Sequence, residues 1–267
     1  MNANEAVVPA PESATRYTVY EQPLNERMRA FMRLEFLWQQ LSYHAGLPNA
    51  WSSRSAVAGL LEILAITSRG DARGDVLKEL ERQMSTLRDY QNRPGVDGAR
   101  LRAVLAALMR RREELNAAGA NFMQKLRESE FLNAIKHRSA IPGGTCEFDL
   151  PAYYAWQQHD ATRRRADLMH WISTLTPLAE ALNVLLGLLR EAGTPQRVVA
   201  RSGQYQQSLP AGKTYHLLRL RLDGSLDLVP EISGHRLMVS IRLMRAEAEG
   251  RLHPVTEDHA FELTLCS

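Results

Sequence analysis

Apolar residues along the first part of the chain recur at three- and four-residue steps, and from Thr194 onward they recur at every second residue. A helical period that gives way to a strand period predicts an α+β fold: an N-terminal mostly helical domain followed by a C-terminal antiparallel β-domain. The expected boundaries are a helical domain over 16–193, led by a short strand at 16–22 in RYTVYEQ, and a β-domain over 194–267. The leading strand is a candidate to join the later sheet. Residues 1–15, MNANEAVVPAPESAT, are small, Pro-containing and aperiodic, and are expected to form a disordered extension.

Within the helical part, Asn25 is a candidate N-cap, and Met28, Phe31, Leu34, Trp38 and Leu41 make one apolar stripe, with Arg29 and Arg33 on another side. Gly46 and Pro48 end that helix. Val76, Leu80, Met84 and Leu87 mark a further helix face, broken by RPGVD; Asp97 and Ser129 are candidate caps of later helices, and Pro151 suits the first turn of PAYYAWQQ. ATRRRADLMHWISTL is expected to end before Thr176-Pro177, which would launch a separate helix, LAEALNVLLGLLREAG. That segment is apolar almost all round, as for a central buried helix or a subunit interface. In the strand region, Asp223-Gly224 reads as a hairpin turn.

Composition narrows the class. The 267 residues are 45% hydrophobic and 24% charged, as in an ordinary globular protein. Cys146 and Cys266 have no metal-ligand spacing around them, which favours a reducing compartment. No signal-peptide pattern or run of eighteen apolar residues occurs, so a cytoplasmic location without a membrane span is expected. Net charge is only +3, from 33 basic and 30 acidic residues, so nucleic acid is not the default partner. The runs MRRREEL (Met109–Leu115) and TRRRADL (Thr162–Leu168) read as solvated helix faces. A nucleic-acid-binding protein using Arg110–Arg112 and Arg163–Arg165 is the alternative reading.

Catalytic patterns are weak. In IPGGTCEFDLP, Cys146 follows a Gly-Gly turn, but His137 and His159 stand in no recognisable relation to it, and a thiol needs a base and a lowered pKa to act as nucleophile. SLPAGKTYH has Gln207 where a phosphate-binding loop needs glycine, and a strand rather than a helix follows, so Ala211-Gly212-Lys213 reads as a hairpin loop. There is no HExxH and no G-x-S-x-G. No enzyme activity, cofactor or metal is expected. A binding surface has more support: Arg236, Met238, Ser240 and Arg242 fall on one face of an unbulged strand, and Arg219 and Arg221 repeat that spacing. Arginine beside apolar side chains suits a peptide that is partly acidic and partly apolar.

The segments EQPLNERMRAFMRLEFLWQQL, VLKELERQ, PGVD, IPGGTCEFDLPAYYAW and ISGHRLMVSIRLM, with FEL near the end, resemble the ZapD family in order, from about Glu21 to the C-terminus. The resemblance implies a homodimer whose subunits each carry a helical and a β-domain. It implies binding to the C-terminal tail of FtsZ, cross-linking or bundling of FtsZ protofilaments in support of the Z ring at mid-cell, lowered FtsZ GTPase activity, and no chemistry of its own. It also makes Cys146 part of a family corner between helices. Among basic residues, Arg33, Arg236 and Arg242 match family positions for the tail contact, with Arg29 and Arg219 beside them as further candidates. Glu130, Tyr154 and Met238 stand where other members carry basic residues.

Overall fold

The computed structural model describes residues 16–91, 93–210, 212–235 and 237–267. The expected N-terminal extension and Arg236 lie outside the described residues. The fold is α+β, and the chain divides into two compact units, one formed by Glu26–Leu189 and the other by the chain up to Asn25 together with Arg190–Ser267.

The helical unit is built from α1 (Glu26–Ala45), α2 (Ala50–Ser68), α3 (Ala72–Arg88), α4 (Gly98–Ala117), the single turn α5 (Gln124–Arg127), α6 (Glu130–Ser139), α7 (Pro151–Gln158) and most of α8 (Ala161–Glu191). The starts follow sequence chemistry. Asn49, Asp71, Asp97 and Ser129 each accept a backbone N–H of the first turn that follows, satisfying donors the helix leaves unpaired. Those bonds, from Arg100 and Ala99, also hold the Asp97 carboxyl below its ordinary pKa. On α1 the buried stripe is Met28, Phe31, Leu34, Leu37, Leu41 and Ala45. Trp38 is half-buried on this stripe, and Leu37, at its edge, is fully buried. α2 lies close against α1, with an added Cβ at Gly59 3.6 Å from both the Leu37 carbonyl and Leu41, so the crossing has room for alanine and a bulkier side chain would crowd it.

α8 differs from expectation. It runs unbroken through Thr176 and Pro177, as one helix of 31 residues. An internal proline costs a backbone hydrogen bond, on the order of 3 kcal/mol, but Ile172, Leu175, Leu178, Ala181 and Leu182 continue one buried face across it, and that burial outweighs the loss. By length and composition alone α8 could cross a membrane, yet half of its most apolar stretch is buried inside the protein, as in a core helix.

The second unit stacks two antiparallel four-stranded sheets. In the first, β1 (Tyr17–Pro23), β4 (Leu217–Asp223), β8 (His259–Cys266) and β2 (Gln196–Ala200) lie in the order β1-β4-β8-β2. In the second, β3 (Gln204–Ser208), β6 (Met238–Ala246) and β5 (Leu228–His235) lie in that order, and β7 (Leu252–Pro254) pairs with the far end of β6. Alternate residues turn inward. Leu218, Leu220 and Leu222 of β4 and Phe261 and Leu263 of β8 share one core with Val239, Ile241 and Leu243 of β6. The leading strand is therefore a sheet strand, bonded along its length to β4.

Asp223-Gly224 is not a hairpin turn. β4 is already paired on both sides, by β1 and β8, so no edge is left for β5. Asp223 instead caps a single 3-10 turn, Gly224–Leu226, and the chain crosses to the other sheet through Asp227 in the left-handed region. The loop with Gly212 and Lys213 is likewise a crossover between sheets, from β3 to β4; Ala211 lies outside the described residues.

Candidate partner-binding site

The outer face of the second sheet carries the residues that even spacing selected. Met238, Ser240 and Arg242 of β6 point away from the core that takes Val239, Ile241 and Leu243. Across the ladder, Arg242 sits opposite Gln204 and Glu231, Ser240 opposite Gln206 and Ser233, and Met238 opposite Ser208 and His235. Among the described residues Arg242 reaches one acid, Glu231 at 3.9 Å, with both side chains more than half exposed. Such a pair is weak, so the guanidinium is available to another carboxylate at little cost. Leu237, beside Met238, is exposed as well, giving the start of β6 an apolar patch on the strand that also carries Arg242.

Arg219 is placed differently. It faces outward on β4 opposite Glu21 of β1, and its Nε donates to Glu21 Oε1 at 2.9 Å. Its Nη1 donates to the Arg190 carbonyl at 3.1 Å, and Arg190 itself grips Glu21 through Nε and Nη2. Arg221, the next outward residue, lies 3.7 Å over the Tyr17 ring and pairs with Glu262 at 3.1 Å. These two arginines are engaged within the sheet.

On the helical unit, Arg29 bonds Glu26 at 3.3 Å, whereas Arg33 is exposed with no ion-pair partner among the described residues. Arg33 shares its stripe of α1 with Phe36 and Tyr43, which are 64% and 67% exposed. Sequence reasoning missed these aromatics; they could have been found as apolar residues falling off the core stripe. It also missed Trp51, which stands 76% exposed at the start of α2.

Neither basic run presents all three of its arginines as free surface cations. Arg110 and Arg111 converge on Glu114 and hold its carboxyl below the usual range, Arg111 also reaches Glu180, and Arg112 bonds Glu81 at 2.9 Å. Arg164 is buried, donating to Ser53 Oγ and to the carbonyls of Pro48, Gln157 and His159.

The Gly-Gly corner is architecture. Gly143 has φ +72°, and a Cβ on Gly144 would meet the Arg138 carbonyl at 2.6 Å. Cys146 is half-buried and its thiol faces Asp149 at 3.5 Å; Cys266 is buried, which pushes its thiol pKa up. Among the described residues no group of three or more His, Cys, Asp or Glu is placed to hold a metal ion.

Comparison with known proteins bears on these surfaces. The family model described as "ZapD: Cell division protein" matches residues 32–242. The chain is 41% identical over 249 residues to Cell division protein ZapD of Janthinobacterium sp. (strain Marseille), covering 93% of this chain and 99% of that protein. It is also 41% identical over 250 residues to the proteins of the same name from Ralstonia nicotianae and Ralstonia pickettii, with the same coverage. This chain belongs to the ZapD family. The ZapD match spans both units, from α1 to Arg242 of β6. Glu130 begins α6, where a carboxylate favours the helix N-terminus, and Tyr154 and Met238 are exposed.

Proposed function

We propose that this cell-division protein binds the C-terminal tail of FtsZ and, as a homodimer, cross-links and bundles FtsZ protofilaments. It would act without chemistry of its own, in the cytoplasm at the mid-cell Z ring, and would slow FtsZ GTP hydrolysis by holding filaments together. The observation that carries this reading is the 41% identity, over nearly the whole chain, to proteins named for cell division. The surfaces agree with it: Arg242 and Arg33 are cations held loosely or not at all by their neighbours, each close in its element to exposed apolar side chains. Arg29 adds charge one turn from Arg33, and Arg236 extends the same proposal on sequence alone. We assign Arg219 to holding β1 and β4 together, since its guanidinium is occupied.

A tail that orders on binding loses chain entropy, so a single contact should have a dissociation constant on the order of micromolar. Two sites on a dimer facing many tails on a filament raise apparent affinity by a factor of about a hundred or more. Co-sedimentation with FtsZ polymerised in GTP, beside FtsZ lacking its tail, tests the reading. Bundling that requires the tail is expected; no pelleting of a folded protein with either form overturns it.

A further inference from the structure

A pocket of about 400 Å3 opens in the helical unit where α2 ends, α3 begins and the chain enters α5. Three arginines line it: Arg69, Arg73 and Arg127. Arg73 Nε donates to the Leu115 carbonyl at 3.1 Å, and its Nη2 lies 3.3 Å from both the carbonyl and the side-chain oxygen of Asn116, which closes the C-terminal end of α4. Arg127 closes α2 in the same manner, with Nη2 on the Thr67 carbonyl at 2.9 Å. Its Nε is buried and has no acceptor among the described residues. Arg69 is exposed. All these acceptors are neutral, and among the described residues none of the three guanidiniums reaches a carboxylate. Arg27, Arg82, Arg111, Arg112 and Arg138 of the same unit each reach one. Among the described residues the lining has one acid, Asp71, which is committed to capping α3 and accepts the Gly74 N–H at 2.8 Å.

Three positive charges against one negative leave an excess of two on the lining. A carboxylate offsets half of that, whereas a phosphate ester, at about −1.5 to −2 near pH 7, offsets nearly all of it. The planar guanidinium fork also matches pairs of phosphate oxygens. Two of the forks are already anchored by backbone carbonyls, so little further side-chain freedom is lost on binding. Ala72 and Arg73, the first residues of α3, line the pocket, and the positive end of that helix dipole adds to the attraction. Beside the cations the lining becomes apolar, at Phe122 and the buried Met123. The volume lies within the roughly 300–1,000 Å3 of small-molecule sites. We propose that this pocket binds a small phosphomonoester: Arg69, Arg73 and Arg127 hold the phosphate, and the organic group lies against Phe122. None of these residues belongs to the partner-binding surfaces described above, and the proposal stands apart from the tail-binding reading.

The test is calorimetric titration of the full chain with inorganic phosphate, phenyl phosphate and phenol. Phenyl phosphate should bind more tightly than inorganic phosphate, and phenol should not bind. Arg69→Ala removes an exposed guanidinium, and Ala72→Glu brings a carboxylate to the pocket at a helix start that favours one. Each should weaken phenyl phosphate about tenfold or more while leaving the melting curve in place. Phe122→Leu should remove the advantage of phenyl phosphate over inorganic phosphate. Tail-dependent pelleting with FtsZ should be the same in Arg69→Ala as in the parent. If neither phosphate binds the parent, or if Arg69→Ala and Ala72→Glu both bind phenyl phosphate unchanged, the proposal is overturned and the tail reading stands. Binding of a single-stranded oligonucleotide in place of both small phosphates, lost in Arg69→Ala, assigns the arginines to a nucleic-acid backbone. Loss of FtsZ pelleting in Arg69→Ala assigns them to the tail. Either result overturns the proposal too.

Discussion

Arg219 on β4 and Glu21 on β1 face each other across the ladder and are joined at 2.9 Å, and Arg190 binds the same carboxylate from the last turn of α8. One acid therefore compensates two guanidiniums at a largely covered position, with Glu21 only 17% exposed. Glu21→Ala removes the carboxylate that both guanidiniums bind and should cost about 2–3 kcal/mol in urea unfolding of the full chain. The double variant Glu21→Ala/Arg219→Ala should lose less than the sum of the two singles, because the repulsion that follows loss of the acid is relieved.

Arg242 should behave in the opposite way. Its pairing with Glu231 at 3.9 Å is exposed and weak, so Arg242→Glu should change unfolding stability by less than about 0.5 kcal/mol. Tail binding should fall several-fold or more in the same variant, and the remaining affinity should depend less on salt, since one exposed charge contact has gone and screening acts over about 8 Å at physiological ionic strength. Unchanged tail affinity would remove Arg242 from the contact.

Three consecutive arginines near the start of α8 should separate cleanly. Arg163 and Arg165 are exposed, whereas Arg164 is 6% exposed and ties Pro48, Ser53, Gln157 and His159 together without any acid. Arg164→Ala removes the donor to three carbonyls and to the Ser53 hydroxyl, and should cost about 3 kcal/mol or more in denaturant unfolding; Arg163→Ala and Arg165→Ala should each change stability by less than about 0.5 kcal/mol. A nucleic-acid reading needs the whole run at the surface, and would be revived only by retardation of DNA or RNA that Arg163→Ala/Arg165→Ala removes.

Much of this was legible from local chemistry. Periodicity placed the helices and strands, and Asp97 and Ser129 cap where their side chains predicted. What failed was decided by long-range partners. Asp223-Gly224 carries a hairpin signal, but turn propensity cannot reveal that β1 and β8 already occupy both sides of β4. Pro177 carries a break signal, which the continuous buried face of α8 overrides. Surface residues divide similarly. Even spacing correctly put Arg219 and Arg242 on outer faces, yet only the pairing of β1 with β4 brings Glu21 to one of them and leaves the other loosely held.

Tyr153 of α7, whose ring centre lies 5.5 Å from the Arg54 guanidinium, supplies a pH test of the packing there. Burial, partly offset by the Arg54 charge, pushes the Tyr153 hydroxyl from an ordinary value of 10.0 up to about 12. The neutral phenol is the form the fold accommodates. Below pH 10 both folded and unfolded chains keep the proton, and Tyr153 adds no pH dependence. Between 10 and about 12 the unfolded chain loses its proton first, so stability falls as pH rises through that window, by on the order of 2 kcal/mol at its upper end. Tyr153→Phe has no proton to lose there. In urea unfolding across this range it should show a shallower alkaline decline than the parent, with the difference vanishing below pH 10. Parallel declines in the two proteins would mean that the ring is open to water, and that Arg54 lacks the sheltered backing that holds it in place.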